Sequence, residues 1–222
     1  MSERSNDEVS MTRVRRSKLE ARAAYDRMSR WYDLLAGGSE ARYVHKGLQK
    51  LRAKEGECIL EIGFGTGHGL LSLVRAVGGS GSVYGIDISS GMARQARGRL
   101  QEVGLADQVS LAGGDGARLP LRDGAVDAAF MSFTLELFDT PRIPQVLQEC
   151  RRVLKGDGRL CVVSLAKRVP GGLSVRLYEW VHEVMPRYVD CRPIPVERVL
   201  QEAGFEVAEV ERRSMWTLPV AI

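Results

Sequence analysis

One glycine-rich stretch constrains the fold of this chain more than any other feature. Residues 60–69 read Leu-Glu-Ile-Gly-Phe-Gly-Thr-Gly-His-Gly. The stretch follows the apolar run 58–60, which is typical of a buried strand, and precedes 70–74, which is apolar at helical spacing. A strand that ends at a glycine turn and leads into a helix directs free helix N-terminal amides into a crevice at the carboxyl edge of a parallel sheet. Because glycines let a ligand contact bare backbone, this turn predicts a cofactor site.

The sequence on either side of this turn alternates between strand and helix patterns. Strands are predicted at 57–62, 83–86, 109–112, 126–133 and 160–165. Helices are predicted at 67–77, from Ser89 or Ser90 to 103, and at 141–154, with a turn at 156–158 before the fifth strand. Strands that alternate with helices of this length favour right-handed crossovers and a parallel sheet with helices on both faces. The predicted fold class is therefore α/β, a Rossmann-like, doubly wound sheet.

The pattern is less regular after the fifth strand. Residues 166–200 are expected to form a lid insertion, with a helix over 173–185, and a further helix is predicted at 196–203. Two apolar segments, 205–210 and 215–222, are predicted to pair as an antiparallel hairpin at the sheet edge, joined by 211–214. The hairpin would complete a mostly parallel sheet of seven strands.

The N-terminal quarter reads as a tail followed by two helices. Residues 1–11 are polar without periodicity, which predicts a disordered tail. Residues 14–35 are periodic, which predicts a helix. One apolar stripe with the arginines opposite is expected from Leu19, Ala23, Tyr25, Met28, Trp31, Tyr32 and Leu35. Ser39 is expected to cap a second helix that ends near Ala53. Residues 12–53 are thus predicted to form lid helices over a core that spans 54–222.

Composition excludes several classes of protein. No apolar run approaches the roughly 18 residues that span a bilayer, and the N-terminus is not a signal peptide, so we expect a cytoplasmic protein. The four widely spaced cysteines suggest neither a metal site nor a disulfide framework. The net charge is +4, and seven basic side chains crowd residues 13–30. They would suit an anionic partner, including a peripheral membrane contact, or form an ordinary solvated helix face.

The order of residues in the glycine turn separates two classes of nucleotide-binding protein. A dinucleotide fingerprint that starts at Gly63 requires glycine at position 68, where this chain has His68. The observed pattern is instead acidic-x-G-x-G-x-G, with Glu61 ahead of the first glycine. In this motif the chain resembles the class I S-adenosylmethionine (SAM) methyltransferases. The resemblance implies a SAM-binding core and a first group of cofactor-binding residues: Glu61, Gly63, Phe64, Gly65, Thr66 and Gly67.

Two further strand ends carry acidic side chains. Asp87 ends the second strand about 20 residues beyond the turn, where a carboxylate can accept hydrogen bonds from both ribose hydroxyls or can cap the next helix. Asp115 follows the third strand, and the resemblance implies that it accepts from the adenine amine; an Asx turn is the simpler alternative. The same resemblance adds the loop formed by Gly114, Asp115, Gly116 and Ala117.

The resemblance also assigns apolar and strand-four residues to the cofactor. Ile88 and Met92 would pack against adenine, although a methionine on a helix is more often part of the core. Ser132, Phe133 and Thr134 end the fourth strand and would lie beside the methionine part and the transferred methyl. Methyltransferases of base amines commonly carry an Asn/Asp-Pro-Pro-aromatic quartet at this strand end, and its absence here disfavours a nucleic-acid acceptor.

The first helix supports a narrower resemblance. Residues 25–33 read Tyr-Asp-x-x-Ser-x-x-Tyr-Asp, which is similar to the ubiquinone and menaquinone biosynthesis methyltransferases of the methyltransferase type 11 group. This implies a small-molecule or lipid-soluble acceptor, such as a quinone-like compound, a phospholipid amine or a thiol. Tyr25 and Tyr32 share one helix face and would cover the cofactor and the acceptor pocket, or only pack.

No general base stands out in the sequence. SAM carries an activated methyl group, so positioning and exclusion of water would supply most of the acceleration. Weak candidates for a base are Tyr25, Tyr32, Tyr178 and His182. A SAM-binding sensor or partner subunit without catalysis is the main alternative, and an NAD-dependent oxidoreductase is disfavoured by His68.

Overall fold

The computed structural model describes residues 17–29, 38–167, 192–215 and 218–222. Its strands are β1 Cys58–Ile62, β2 Ser82–Asp87, β3 Val109–Gly113, β4 Val126–Ser132, β5 Leu154–Leu165, β6 Arg212–Met215 and β7 Leu218–Ala221. Its α-helices are α1 Lys18–Met28, α2 Gly38–Leu51, α3 His68–Val77, α4 Ser90–Glu102, α5 Ile143–Val153 and α6 Val196–Glu202. Short 3-10 turns lie at Ala106–Gln108, Leu135–Leu137 and Thr140–Arg142.

The strands form one sheet in the order β3-β2-β1-β4-β5-β7-β6. The first five are parallel, and β7 pairs antiparallel with both β5 and β6. One buried cluster beside α2 and α3 and a second beside α5 and α6 cover the two faces. The predicted fold class, a seven-stranded mostly parallel sheet with an antiparallel edge hairpin, is confirmed. Strand order reverses between β1 and β4, so the ligand crevice is expected at their carboxyl ends.

The C-terminal hairpin differs in its register from the sequence prediction. Residues 205–210 are not a strand, whereas the expected link 211–214 supplies most of β6. Met215 pairs with Leu218, and Glu211 exchanges backbone hydrogen bonds of 2.8 and 3.0 Å with Ile222. Residues 205–210 therefore lie beyond the paired part of the hairpin, and they pair with none of the strands in the described part of the chain.

The turn predicted at 156–158 is a bulge inside β5. Val126 pairs with Leu154 and Ala128 pairs with Arg159, so the extra residues of β5 loop out between two points of one ladder. The strand consequently begins at Leu154, six residues before the predicted start. Glycines mark bulges as well as turns, which explains the wrong assignment.

The apolar stripe predicted for α1 is wrong at Leu19 and Ala23 but right at Tyr25, and the side chains of its later members lie outside the described part of the chain. Leu19 is 78% exposed and Ala23 is also exposed, whereas the face toward the protein carries Ala21, Tyr25 and Asp26. Ser17 caps α1, with the reciprocal contact from Glu20 that defines a capping box. Ser39 lies inside the first turn of α2 and does not precede it.

Several predictions fall outside the described residues. These are the N-terminal tail, the helix over 173–185, and the candidate bases Tyr32, Tyr178 and His182. Within the described ranges no helix combines the length and apolar character needed to cross a membrane. The same ranges hold no group of three or more acidic, histidine or cysteine side chains arranged to bind a metal ion.

Candidate functional site

A cavity lies at the carboxyl ends of the first four strands, on the side that α1 covers. Ala21 and Tyr25 of α1 form part of its wall. The other predicted site residues that line it are Gly63, Gly65, Asp87, Ile88, Met92, Gly114, Asp115, Gly116, Ser132, Phe133 and Thr134. Residues that are far apart in sequence meet here because parallel strands end at one edge of the sheet.

The glycine turn forms the floor of the cavity. Gly63, Gly65 and Gly67 have φ values of 72°, 53° and 87°, in the left-handed region that favours glycine. A Cβ at Gly65 would meet no atom within 4 Å, so this residue leaves open space for a ligand. A Cβ at Gly63 would overlap Thr134, whose hydroxyl donates to the Ser132 carbonyl at 2.9 Å. The loop therefore packs directly on the end of β4.

Asp87 connects the glycine turn to the start of α4. One carboxylate oxygen accepts from the Gly65 N–H at 2.9 Å, and the other accepts from the Ser89 N–H at 2.8 Å. Only 9% of Asp87 is exposed. Burial raises the pKa of Asp87, although these two backbone hydrogen bonds oppose the rise. Ser89 itself caps α4 by accepting from the Met92 N–H at 3.1 Å.

Glu61 lies behind the same turn and is 3% exposed. Its Oε2 is buried and has no hydrogen-bond partner among the described groups. Burial, reinforced by the nearby charge of Asp87, raises the pKa of Glu61 well above its usual range. A Cβ at Gly69 would overlap the Glu61 carboxylate, so glycine at that position makes room for it. A cationic ligand in the neighbouring part of the cavity would stabilise the charged forms of both carboxyls.

Asp115 closes the opposite end of the cavity. One carboxylate oxygen accepts from the Ala117 N–H at 3.1 Å, which is the Asx-turn contact. The other accepts from Arg142 Nη2 at 3.0 Å, and Arg142 also lines the cavity. The Arg142 contact holds the carboxylate at the cavity wall. Asp115 therefore forms the Asx turn and also faces the cavity, so the two roles predicted for it are compatible.

Apolar side chains separate these charged ends. The walls include Ile62 and Ile86 at two strand ends, Ile88, and Met92, which is 3% exposed. A flat aromatic ring fits between such aliphatic groups. The cavity thus combines an apolar middle, two acidic ends and an open glycine floor.

The end of β4 adopts an uncommon backbone conformation. Phe133 has φ 48°, which is rare for a residue other than glycine and costs about 1–2 kcal/mol. Its N–H donates to the Val163 carbonyl at 2.7 Å, and its ring contacts Tyr43 edge to face at 6.2 Å. These contacts hold the strained residue at the cavity wall.

Some predicted site residues lie outside the cavity wall. Phe64 packs in the core and leaves no room for a Cβ at Gly85, and Gly67 packs on Ala96. Thr66 is 5% exposed, and its carbonyl accepts from Arg99. Glu61 and Ala117 are also buried outside the wall.

Sequence reasoning missed several residues of the wall. They are Ala21, Ile62, Ile86, Leu137, Phe138, Asp139 and Arg142. Ile62 and Ile86 directly precede predicted site residues, and this adjacency was a usable signal. Nothing in the local sequence points to Arg142, because its place beside Asp115 depends on the crossover between β4 and β5.

The strand order and the glycine turn with acidic neighbouring strand ends define a class I methyltransferase architecture. Residues 59–158 match the family model described as a methyltransferase domain. A 2-phytyl-1,4-naphtoquinone methyltransferase of Trichormus variabilis is 32% identical over 182 residues, which cover 80% of this chain and 75% of that protein. A demethylmenaquinone methyltransferase of Lactobacillus johnsonii is 32% identical over 143 residues.

Comparison with solved structures leads to the same class of protein as comparison of the sequences. It is similar to a SAM-dependent methyltransferase from Aquifex aeolicus, with a TM-score of 0.59 and 26% identity over 80% of this chain and 86% of that one. The chain belongs to the class I SAM-dependent methyltransferases, a family whose cofactor is SAM, as its glycine turn predicts. The alignment with the Lactobacillus demethylmenaquinone methyltransferase covers 64% of this chain and only 57% of the length of that protein.

Proposed function

We propose that this protein binds SAM in the cavity and transfers its methyl group to a small-molecule or lipid-soluble acceptor. The observation that carries the proposal is the buried acidic pair Glu61 and Asp87 beside an open glycine floor. SAM bears a positive sulfonium and a positive ammonium, and these charges would stabilise the ionised forms of the two buried carboxyls. A dinucleotide would place a pyrophosphate at the same turn, where these carboxylates would repel it. The site therefore supports SAM over NAD.

Each part of the cofactor has a matching group in this proposal. Asp87 would accept from the ribose hydroxyls, and Asp115 would accept from the adenine amine. Ile88 and Met92 would contact the faces of adenine. The orphaned Oε2 of Glu61 lies behind the floor that Gly63 and Gly65 form, where the ammonium of the methionine part would stabilise the charged carboxylate.

The chain supplies position and exclusion of water in the proposed reaction. When bound, SAM supplies a methyl group on a good leaving group. Ser132, Phe133 and Thr134 would border the methyl, and Tyr25 would cover it from α1. A thiolate or an amine acceptor needs no general base, whereas a carbon or hydroxyl acceptor does. Among the described residues, Tyr25 is the hydroxyl that we propose for that role.

The acceptor is proposed from the relatives and from α1. The two named relatives are methyltransferases of demethylmenaquinone and of 2-phytyl-1,4-naphtoquinone. We propose a quinone-like acceptor for this chain and a peripheral contact with the membrane that dissolves it. Arg22 and Arg27 of α1 are exposed, which suits an anionic lipid surface.

Calorimetry with the full chain tests the cofactor half of this proposal. We expect S-adenosylhomocysteine (SAH) and SAM to bind with dissociation constants on the order of micromolar, and NAD not to bind. Methyl transfer is tested separately with labelled SAM and reduced naphthoquinones in lipid vesicles. Binding without any transfer of label to these acceptors or to a cell extract would favour the alternative of a non-catalytic sensor. Absence of SAH binding would refute both.

Asp115→Asn is expected to change which base the site prefers. The wild-type carboxylate accepts from an adenine amine and repels the oxygen of hypoxanthine, whereas an amide can donate to that oxygen. We expect the preference for SAH over S-inosylhomocysteine to narrow by roughly 10-fold, equivalent to about 1.4 kcal/mol. Asp123→Asn is the matched control, since Asp123 is 82% exposed and pairs with Arg152 away from the cavity. An unchanged preference in Asp115→Asn would place adenine elsewhere.

A further inference from the structure

A carboxylate on α1 holds the first turn of α4. Asp26 Oδ1 accepts from the Gly91 N–H at 2.6 Å and from the Ser89 hydroxyl at 2.7 Å. Both of its oxygens lie 3.4 Å from the Ser90 hydroxyl. Three successive residues of one helix start therefore converge on a side chain from another helix. The predicted motif around Tyr25 contains Asp26, but sequence reasoning gave it no role.

The hydrogen bonds keep Asp26 charged. Burial alone would raise the pKa of Asp26, but the donors Gly91 and Ser89, together with Arg22, outweigh burial and lower it. The first amides of an α-helix have no acceptor within the helix, and a negative charge there is stabilised by the helix dipole. Ser89 satisfies the Met92 amide, and Asp26 satisfies the Gly91 amide.

Close backbone packing accompanies these bonds. A Cβ at Gly91 would lie 2.8 Å from the Ser29 hydroxyl and 2.9 Å from the Asp26 Cα. Glycine at 91 therefore allows the end of α1 to rest on α4. The Ser29 hydroxyl also donates to the Asp26 carbonyl at 3.0 Å, which closes the last turn of α1 at this contact.

The contact joins two walls of the cavity. Tyr25 and Ala21 line the cavity from α1, one and five residues before Asp26. On the other side, the Ser89 whose hydroxyl binds Asp26 donates its N–H to Asp87. Ile88 and Met92, which flank this turn, also line the cavity. A shift of the α4 turn would thus move both the ribose-binding carboxylate and the lid.

We infer that Asp26 is a positioning residue that latches α1 over the cofactor by capping the first turn of α4, so that cofactor binding and lid closure favour each other. The inference rests on the proposed function, because it takes SAM as the ligand. Asp26 touches neither the cofactor nor the acceptor in this scheme. Its effect passes through Ser89 to Asp87 and through Tyr25 to the cavity wall.

The test compares Asp26→Ala and Asp26→Asn with wild type in calorimetry and limited trypsin digestion. We expect SAH affinity to fall roughly 10-fold in Asp26→Ala and less in Asp26→Asn, which keeps one acceptor oxygen. Because coupling is reciprocal, SAH should protect the bond after Arg22 from trypsin in wild type and lose that protection in Asp26→Ala. Asp107→Asn, an exposed aspartate beyond α4, should behave as wild type.

The outcomes separate the latch from the proposed function. Failure of wild type to bind SAH contradicts the proposed function itself. If wild type binds SAH, and Asp26→Ala shows the same SAH affinity and the same protection from trypsin, only the role of Asp26 as a latch is overturned. Loss of the cooperative thermal transition in both Asp26 variants also overturns it, since the contact would then be a requirement of the fold and not of closure.

Discussion

Asp87→Ala is expected to weaken SAH binding by about 100-fold or more. The variant removes a buried carboxylate that is placed to accept from two ribose hydroxyls, and hydrogen bonds to charged groups contribute about 1.5–3 kcal/mol each. It also leaves the Gly65 and Ser89 amides without their present acceptor, so the glycine turn and the α4 turn lose their common anchor. Calorimetric titration of the folded variant with SAH measures the loss.

Asp127→Ala is the control for Asp87→Ala. Asp127 also accepts from a backbone amide of the central sheet, the Cys58 N–H at 2.9 Å, but it lies at the start of β4 and not at the cavity. We expect this variant to bind SAH with wild-type affinity. Equal losses in the two variants would mean that sheet stability, and not ribose contact, controls binding.

Glu136 is expected to make stability depend on pH. The residue is fully buried after β4; its Oε1 accepts from the Leu165 N–H at 3.0 Å, and its Oε2 has no hydrogen-bond partner among the described groups. Burial raises the pKa of Glu136 from 4.5 to about 7. Between these values the folded state binds more protons than the unfolded state, so stability falls as pH rises. The stabilisation is complete below pH 4.5 and is lost by pH 7 or slightly above, a change of about 3 kcal/mol.

Glu136→Gln should remove this component. Glutamine has the same shape and keeps an acceptor for the Leu165 amide, but it does not titrate. Urea unfolding at pH 5 and pH 8 should show a smaller difference in the free energy of unfolding than in wild type. Glu55→Gln changes an exposed carboxyl and should retain the wild-type difference. If Glu136→Gln also retains the wild-type difference in the free energy of unfolding, the Glu136 carboxyl does not titrate between pH 5 and pH 8.

Local features made much of the site predictable from sequence. The strand, glycine turn and helix at 58–77 follow from a buried apolar run, three residues that must take positive φ, and helical spacing. The positions of Asp87 and Asp115 at the cavity were predictable because both residues follow strands of a parallel sheet, whose carboxyl ends lie at one edge. A cap at Ser89 or Ser90 was predicted from the serines ahead of the helix, and the structure has Ser89 in that position.

Features set by tertiary contact could not be predicted. The hairpin register depends on which residue faces Met215, and alternation at 205–210 contains no information about its partner. The apolar stripe expected on α1 assumed that apolar residues face inward, yet Asp26 faces inward because α4 offers it three donors. Arg142 reaches Asp115 only through the fold, so its role was not visible in the chain order.

The acidic pair behind the glycine turn also bears on turnover under the proposed function. The cofactor enters with a sulfonium charge and leaves as a neutral thioether after methyl transfer. The ribose and ammonium contacts proposed for Asp87 and Glu61 are the same in both forms, so only the longer-range attraction between the acidic pair and the sulfonium is lost with the reaction. Under the proposed function, the acidic pair would thus favour donor over product by charge, without any change in the shape of the cavity.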